Sequence, residues 1–556
     1  MVRGFLTVIG REVRGMHQAA YVLAAFALLS QLLALVRDRL FAAEFGAGHT
    51  LDVYYAAFRI PDLLFATVAS LLSLYALLPV LSRLAEADEG RMVSFLRQML
   101  LFFFVGMGGI ALVAFILAPW LVTLVAPGIT NPDLVLLTRI LLLQPLFLGA
   151  SNILANLTQM RHRFLLYSIS PLLYNLGIIA GILFLYPSMG LAGLGWGVVI
   201  GAFLHMALQL PFFAAEPAGT RMPTQESLRE FFKVLALSVP RTLTLSAGQI
   251  SLVVLTALAS FMAPGSIAVF MFGWNLQAVP LTIIGVSYSV AAFPTLSKLH
   301  AGGQAGEFAR HVEVALRHIF FWTIPATVLV VVLRAQLVRA ILGSGAFDWG
   351  ATKLVAAALA LFAVSLLAQS VSMLIARAYY AAGNTKKPFY FGLVTFAVSV
   401  GSALVFIALF QGSFFLRFWI EALLRVSDLA GTTVLMLALA MALGSWAGFA
   451  AGFYAMRRDF GLVLGPLWRL TLQSLGASIL GGGAAYLALT GMGEVVDINT
   501  AGGILLQGFV GGVWGLGITA LVLYLLKNQE IAEAYVALKN RFMAPKVALE
   551  PTDVSS

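Results

Sequence analysis

The sequence predicts an all-α polytopic membrane protein with about 14 transmembrane helices, and three observations lead to that fold class. Of the 556 residues, 61% are hydrophobic and only 10% are charged, whereas a soluble globular chain carries about 25% charged residues. The apolar residues form runs long enough to cross a bilayer, which takes roughly 20 residues per helix. The basic residues are concentrated in alternate connections between these runs, as expected of a chain that threads a membrane repeatedly.

The apolar runs, numbered α1 to α14 in chain order, are separated by mostly short polar connections. They cover residues 18–40, 51–82, 92–125, 133–158, 164–186, 190–215, 232–262, 266–296, 308–342, 351–378, 388–411, 431–456, 466–490 and 503–526. The basic segment 1–17 lacks a convincing cleavage site, so we interpret it as a cytoplasmic interfacial segment and not as a signal peptide. The tail 528–556 mixes charged and apolar residues and is predicted to be a short cytoplasmic helix.

The connections distinguish the two sides of the predicted bundle. Those after α1, α3, α5, α7 and α13 contain no Lys or Arg, whereas those after α2, α4, α6, α8 and α10 are basic. Because basic connections stay in the cytoplasm, both termini are predicted to be cytoplasmic. These loops also account for the net charge of +10, so no nucleic-acid partner is expected. The absence of cysteine excludes disulfides and thiolate metal sites.

An internal repeat divides the chain. The end of α2 reads LLPVLSRL and the end of α8 reads AFPTLSKL, which places Pro79 and Pro294 at corresponding positions. We therefore predict two six-helix lobes in parallel orientation, residues 18–220 (α1–α6) and 221–456 (α7–α12). Residues 457–527 (α13 and α14) are an appended pair outside the two lobes. Transporters with parallel repeats bind substrate between the two lobes.

Charged residues at membrane depth are concentrated in the stretch from Gln31 to Leu84. An ionised side chain in hydrocarbon is costly unless it faces protein or water, so this stretch predicts a polar interior surface and transport of a polar substrate. A further cation follows Pro240 in α7. The residues concerned are Arg37, Asp38, Arg39, Asp52, Arg59, Asp62 and Arg241.

Structural roles remain open for several of these residues. Arg37 either lines the cavity or extends to the outer interface, and Arg39 is interpreted mainly as extending there. Arg59 and Asp62, three residues apart, either bind substrate or form an ion pair that steadies the bend at Pro61. Arg241 faces either an interior cavity or the cytoplasmic interface.

The motifs VRDRLFAAEFGAGHTLDVYYAAFRIPDLL, PVLSRL, PTLSKL and RAYYAAGNTKKP resemble the MurJ/MviN family of the multidrug/oligosaccharidyl-lipid/polysaccharide exporter superfamily over nearly the whole chain. The resemblance implies a flippase in the bacterial cytoplasmic (inner) membrane. Its substrate would be lipid II, the undecaprenyl-diphosphate-linked peptidoglycan precursor, moved by alternating access. It also implies cavity arginines for the diphosphate and a lipid-tail groove at α13 and α14.

The motifs match the family only in part. Gln31, Phe65 and Asn275 stand where the family presents arginines, so the resemblance predicts a less cationic cavity. The predicted substrate-binding residues are Arg37, Asp52, Arg59, Arg241, Gln31 and Asn275. The predicted structural or gating residues are Asp38, Pro61, Asp62, Gly46 and Gly48.

Other functions remain open from the sequence. One alternative is an exporter of the same superfamily for another polyprenyl-linked glycan or a small cation. Another is a non-transporting scaffold that recruits cell-wall synthesis enzymes. No nucleophile–base arrangement, P-loop or paired-carboxylate site is recognisable, so we predict no enzyme activity and no cofactor. Coupling to Na⁺, to H⁺ or to the membrane potential is left undecided, and the chain is expected to act as a monomer among membrane lipids.

Overall fold

The computed structural model describes residues 16–69, 74–216, 225–462, 465–497, 500–533 and 536. The predicted segment 1–17, apart from its last two residues, and most of the predicted tail lie outside the described residues. Within the described part, the chain is helical with short connections and contains no strand. The prediction of an all-helical polytopic membrane protein is confirmed.

Helices α1–α6 make up the first predicted lobe, and several of them are broken into segments. Their bounds are Met16–Phe45 for α1; His49–Ala57, Arg59–Thr67 and Leu74–Ala87 for α2; Glu89–Val125 for α3; Pro132–Leu141 and Gln144–Met160 for α4; Phe164–Ala180, Gly181–Leu185 and Tyr186–Met189 for α5; Leu191–Ala207 and Leu210–Ala214 for α6.

The second predicted lobe and the appended pair follow. Their bounds are Gln225–Ser260 for α7; Ser266–Leu281, Thr282–Val286 and Ser287–Ala301 for α8; Ala305–Val332 for α9; Trp349–Ala363 and Leu366–Ala381 for α10; Lys386–Gly412 for α11; Thr432–Val434 and Leu435–Phe460 for α12; Gly465–Val495 for α13; Ala501–Leu525 for α14. Two short helices, Arg334–Leu342 and Phe414–Leu424, lie in the α9–α10 and α11–α12 connections.

Length and apolar composition separate most of these helices from three others. In the described residues, ten helices are long and apolar enough to span a membrane, and the two segments of α10, bent by 46°, make an eleventh. The remaining three are α1, α2 and α7. Some side chains of these three helices lie outside the described part of the structure. The sequence of each helix still contains an uncharged and mostly apolar run, at residues 18–36, 63–82 and 242–262, which is about long enough to cross a bilayer.

The two predicted lobes break their helices at related places. In α4 the break falls just before Gln144, and in α10 it falls just before Leu366. Proline explains some irregularities because it lacks an N–H and cannot complete the helical hydrogen-bond pattern. The wide π turn of α5 ends just before Pro187, and that of α8 begins just after Pro280.

The largest apolar core runs through both lobes, with buried residues from α1, α2, α4, α7, α8, α10 and α12 among others. The appended pair packs differently, because α13 and α14 lie against each other and against α9 and the short helix after it. A Cβ atom at Gly481 of α13 would collide with Thr519 of α14. Glycine is therefore needed there for the two helices to approach so closely.

The connections α1–α2, α7–α8 and α9–α10 meet at one end of the bundle, which we call the closed end. The amide of Ala346 donates a 2.8 Å hydrogen bond to the Ala43 carbonyl. Gly46, with φ +59°, has no room for a side chain because Ala346 lies against it. A Cβ atom at Gly265, with φ +89°, would come even closer to the Ala47 carbonyl oxygen. Left-handed conformations of this kind favour glycine, so the two glycines allow the lobes to touch.

Charge pairs fasten connections at both ends of the bundle. At the closed end, Lys353 donates a 2.6 Å hydrogen bond to Asp428, and this bond lowers the pKa of the Asp428 carboxyl. At the opposite end, Arg161 binds Glu216 and Glu89 at 2.7 and 2.9 Å. Hydrogen bonds to these two carboxylates raise the pKa of the Arg161 guanidinium.

Candidate functional site

Asp52 links the first predicted lobe to the second. It lies in the first turn of α2 and is buried. Its Oδ2 accepts a hydrogen bond from the Gly265 amide at 2.5 Å, and its Oδ1 accepts one from the Ala268 amide at 2.9 Å. These amides belong to the beginning of α8, where a helix carries unpaired N–H groups and a positive dipole end. Asp52 therefore caps a helix of the opposite lobe.

Arg37 and Asp38 form a second link between the lobes. Arg37 donates to Oδ1 of Asp38 through Nε at 3.0 Å and Nη2 at 2.8 Å. Its Nη1 donates to the Asn175 side chain of α5 at 3.2 Å. The other carboxylate oxygen of Asp38 accepts from Asn275 of α8 at 3.1 Å. Asp38 thus binds its own lobe through one oxygen and the second lobe through the other.

Arg59 is buried at the lobe boundary and has partners of low polarity. Its Nε donates to the Tyr55 carbonyl at 3.2 Å, and its Nη2 contacts the Met271 sulfur at 3.4 Å. The Gln144 side chain lies beside Asp62, whose charge acts on Arg59. The direct Arg59–Asp62 hydrogen bond expected of an ion pair is not among the contacts of these two described residues.

Arg39 corrects one interpretation made from the sequence. It does not simply extend to the interface, because its Nη1 donates to the Ala340 carbonyl at 2.8 Å and the Ile341 carbonyl at 3.3 Å. Both carbonyls belong to the end of the short helix Arg334–Leu342. Cations are favourable at a helix C-terminus because its carbonyls are unpaired and its dipole end is negative.

The other predicted site residues lie in different environments. Gln31 is half-buried on α1, and Phe65 packs against the apolar cluster of α2, α3 and α4. Pro61 is buried in the middle segment of α2. Gly46 and Gly48 lie in the α1–α2 connection, where Gly48 is the N-cap of α2. The side chain of Arg241 lies outside the described part of the structure.

The charged side chains described above form what we call the interlobe cluster. Its described members are three arginines and three carboxylates, namely Arg37, Arg39, Arg59, Asp38, Asp52 and Asp62, so their formal charges cancel. Charges at membrane depth are tolerated when they pair with one another or with backbone groups, and most of them do so here. The described cluster is consequently polar but has no formal net charge.

Comparison with known proteins identifies the family. A family model described as "Lipid II flippase MurJ" matches residues 41–496, well over half of the chain. The chain belongs to the MurJ family.

Curated MurJ relatives align over most of their own length. The lipid II flippase MurJ of Burkholderia cenocepacia is 27% identical over 410 residues, covering 71% of this chain and 79% of the relative. The probable lipid II flippase MurJ of Thermotoga maritima is 27% identical over 398 residues, covering 68% and 77%.

Solved structures show the same fold at lower identity. A structure titled "Lipid II flippase MurJ, inward closed conformation" aligns with a TM-score of 0.70 at 21% identity, covering 91% of this chain and 100% of that one. An inward-facing multidrug resistance MATE family transporter aligns with a TM-score of 0.63 at 14% identity, covering 80% and 98%. The fold is therefore that of MurJ and, more distantly, of the MATE transporters.

An apolar groove lies beside the appended pair, as the MurJ resemblance implies, but its walls differ from the prediction. The groove has a volume of about 440 Å³ and is lined by residues of α8, α9 and α14, together with Ile531 after α14. Tyr288, Trp322 and Leu516 are among them. No described residue of α13 lines it. The pair contributes through α14, and the second lobe supplies the remaining walls.

Some members of the cluster were not recognised from the sequence. The sequence gives no signal for Met271 or Gln144, because neither residue is charged or belongs to a recognisable motif. The pairing of Asp52 with the beginning of α8 had a weak signal in Pro264-Gly265-Ser266, which marks a helix start. The sequence could not show that this start lies opposite Asp52, because the contact joins residues more than 200 positions apart.

Proposed function

We propose that this MurJ-family chain moves lipid II from the inner to the outer leaflet of the bacterial cytoplasmic membrane by alternating access. The observation that carries the proposal is a balanced polar cluster between two lobes that touch at one end of the bundle. A diphosphate-sugar headgroup cannot cross hydrocarbon without polar contacts. An interlobe surface that opens to one side at a time provides such contacts.

The orientation follows from the positive-inside rule. The connections that meet at the closed end contain few basic residues, and the opposite end carries the basic ones. We therefore place the closed end outside and both termini in the cytoplasm. In this orientation, the Asp52 and Asp38 contacts would hold the outer side of the protein shut.

Arg37 is the proposed primary contact of the diphosphate. Its planar guanidinium suits bidentate phosphate binding. Asp38 and Asn175 hold the guanidinium in position, because they accept hydrogen bonds from its Nη2 and Nη1 atoms. A diphosphate that takes over Arg37 would compete with Asp38, which also binds Asn275 of the other lobe. Substrate binding would thereby weaken a contact that keeps the lobes closed. Asp52 is better suited to gating than to substrate binding, since α8 amides occupy both its oxygens.

The balanced charge also favours a second candidate, a flippase for another polyprenyl-linked glycan. Gln31 and Asn275 replace family arginines, so fewer cations are available for a diphosphate than in other MurJ proteins. The predicted division into lobes 18–220 and 221–456 and a monomeric state belong to both proposals.

Binding measurements separate the two candidates. The natural chain and a variant carrying Gln31→Arg and Asn275→Arg would be compared by native mass spectrometry with lipid II and with an undecaprenyl monophosphate glycan. Lipid II binding by the natural chain, lost in Arg37→Ala, supports the first proposal. Binding of lipid II by the restored variant alone would favour the other-glycan candidate.

A further inference from the structure

The short helix Phe414–Leu424 between α11 and α12 presents an apolar face that no described part of the chain covers. Its sequence is FFLRFWIEALL. Five large apolar side chains on it are between 52% and 84% exposed, namely Phe414, Phe415, Phe418, Trp419 and Leu423. Exposed apolar patches of this kind mark an interaction surface.

The helix is a separate element and not an extension of α11. The helical path is interrupted at Ser413, which adopts an extended conformation and caps the new helix through its hydroxyl, 3.3 Å from the Leu416 amide. The helix ends at Arg425, which has a left-handed conformation with φ +61°. Eleven residues at about 1.5 Å each are too short to span a bilayer, so the helix must lie at its surface or against a partner.

The opposite face of the helix is fastened to the closed end. Glu421 is buried, accepts a 2.6 Å hydrogen bond from Thr432 at the start of α12, and pairs with Arg417 at 2.9 Å. Arg334 donates to the Leu424 carbonyl at 3.5 Å. The Arg417 guanidinium also lies over the Phe410 ring of α11, 5.9 Å from its centre. These contacts hold the helix in one orientation and keep its aromatic face outward.

The aromatic face continues the lipid-facing surface of α11. Leu404, Val405 and Leu409 of α11 are exposed and belong to a helix that meets the requirements for a membrane span. The 27 residues of α11 extend about 40 Å, beyond a hydrocarbon core of about 30 Å. The helix that begins just after α11 therefore starts at the height of the lipid headgroups, where Trp and other aromatic residues are enriched.

We propose that the helix Phe414–Leu424 lies in the headgroup region of the bilayer at the closed end, with its aromatic face inserted into lipid. The occupant of this face is the outer leaflet, an assignment of side that rests on the orientation given under Proposed function. The contacts of Glu421 and Arg334 would then connect the outer leaflet directly to α12 and to the α9–α10 connection, which forms part of the closed end.

Site-directed spin labelling tests this proposal cleanly, because the chain contains no cysteine. Phe415→Cys and Leu423→Cys would be labelled in the full-length protein in liposomes. Collisions with oxygen, which concentrates in lipid, would be compared with collisions with a water-soluble nickel chelate. Matched controls are Leu404→Cys on the lipid-facing side of α11 and Ser427→Cys in the exposed connection after the helix.

The expected result is that labels at positions 415 and 423 resemble the Leu404→Cys control and collide more with oxygen. Greater collision with nickel, as at position 427, would overturn the proposal by showing that the face lies in water. Protection from both reagents would overturn it in favour of a protein partner. A second measurement keeps an aromatic side chain at every position of the face. Brominated lipids should quench a larger fraction of the tryptophan fluorescence in the natural chain than in Trp419→Phe. Equal quenching in the two proteins would contradict contact between Trp419 and lipid.

The assignment of side has its own readout. An impermeant thiol reagent should label Ser427→Cys in intact cells. Labelling only after lysis would overturn the orientation, and the outer-leaflet assignment with it, while the oxygen and nickel measurements would still report on lipid contact separately.

Discussion

Replacing Asp52 by alanine should open the closed end. The substitution removes two hydrogen bonds between a buried carboxylate and the amides of Gly265 and Ala268. A hydrogen bond to a charged group contributes about 1.5–3 kcal/mol, so the two together contribute about 3–6 kcal/mol to the closed arrangement. Since about 1.4 kcal/mol corresponds to a tenfold change in an equilibrium constant, we expect a shift of roughly a hundredfold or more toward separated lobes.

Distance measurements between spin labels can detect this shift. Thr130 and Ser427 are exposed near the closed end on the first and second lobes, and cysteines there would be labelled for pulsed dipolar spectroscopy. In the Asp52→Ala background, the distribution of distances between the two labels should move to longer values than in the natural chain. Asp52→Asn should give distances between those of the natural chain and Asp52→Ala, because its side chain keeps one carbonyl acceptor. Transport should fall in parallel.

Asp133 offers a matched control for Asp52. It also lies in the first turn of a helix, but its side chain is exposed and α4 belongs to the same lobe. Asp133→Ala should leave the distance distribution unchanged. If Asp52→Ala also leaves it unchanged while the protein remains folded in the membrane, the reasoning that Asp52 fastens the lobes is refuted.

Further predictions follow from the remaining contacts. Arg39→Ala should lower transport clearly and not mildly, because two carbonyls of the second lobe lose their donor; transport equal to that of the natural chain would show that Arg39 serves only the interface. Asn275→Ala should reduce closure about ten- to a hundredfold, because one hydrogen bond to a carboxylate contributes about 1.5–3 kcal/mol. Asn275→Asp should open the lobes further, as measured with the same spin-label pair. Arg59→Met should retain folding but lower lipid II affinity if Arg59 contacts substrate, whereas unchanged affinity by native mass spectrometry would indicate a structural role. An impermeant reagent should label Lys386→Cys only after lysis; labelling in intact cells would contradict the two-lobe topology.

The fold class was predictable because its determinants are local. Length and apolar composition define most of the helices, and basic residues in alternate connections distinguish the two sides. Helices α1 and α2 stood out in the sequence because charged residues lie at the end of the first and around the beginning of the second. The broken segments of α4 and α10 were not predicted, because a continuous apolar run gives no signal where the helix bends.

The candidate site was predictable in its residues but not in their partners. Arg37, Asp38, Asp52 and Arg59 attract attention because charge is costly in a membrane. Their roles depend on atoms from distant segments, including backbone amides at the start of α8. Almost every residue carries such an amide, so the sequence does not indicate which amides bind a particular side chain. Asn275 shows this most clearly: the sequence marked it as a missing arginine, while the structure shows it donating a hydrogen bond to Asp38.

The central claim is that this MurJ-family chain translocates lipid II, and a depletion experiment tests it most directly. A bacterial host whose own flippase can be depleted would express the natural chain, Arg37→Ala or the Asp133→Ala control. Growth and the amount of lipid II accessible at the outer face would be measured after depletion. The natural chain and Asp133→Ala should restore both, and Arg37→Ala should restore neither. If the natural chain is inserted in the membrane at full level and lipid II remains inaccessible outside, the claim is contradicted.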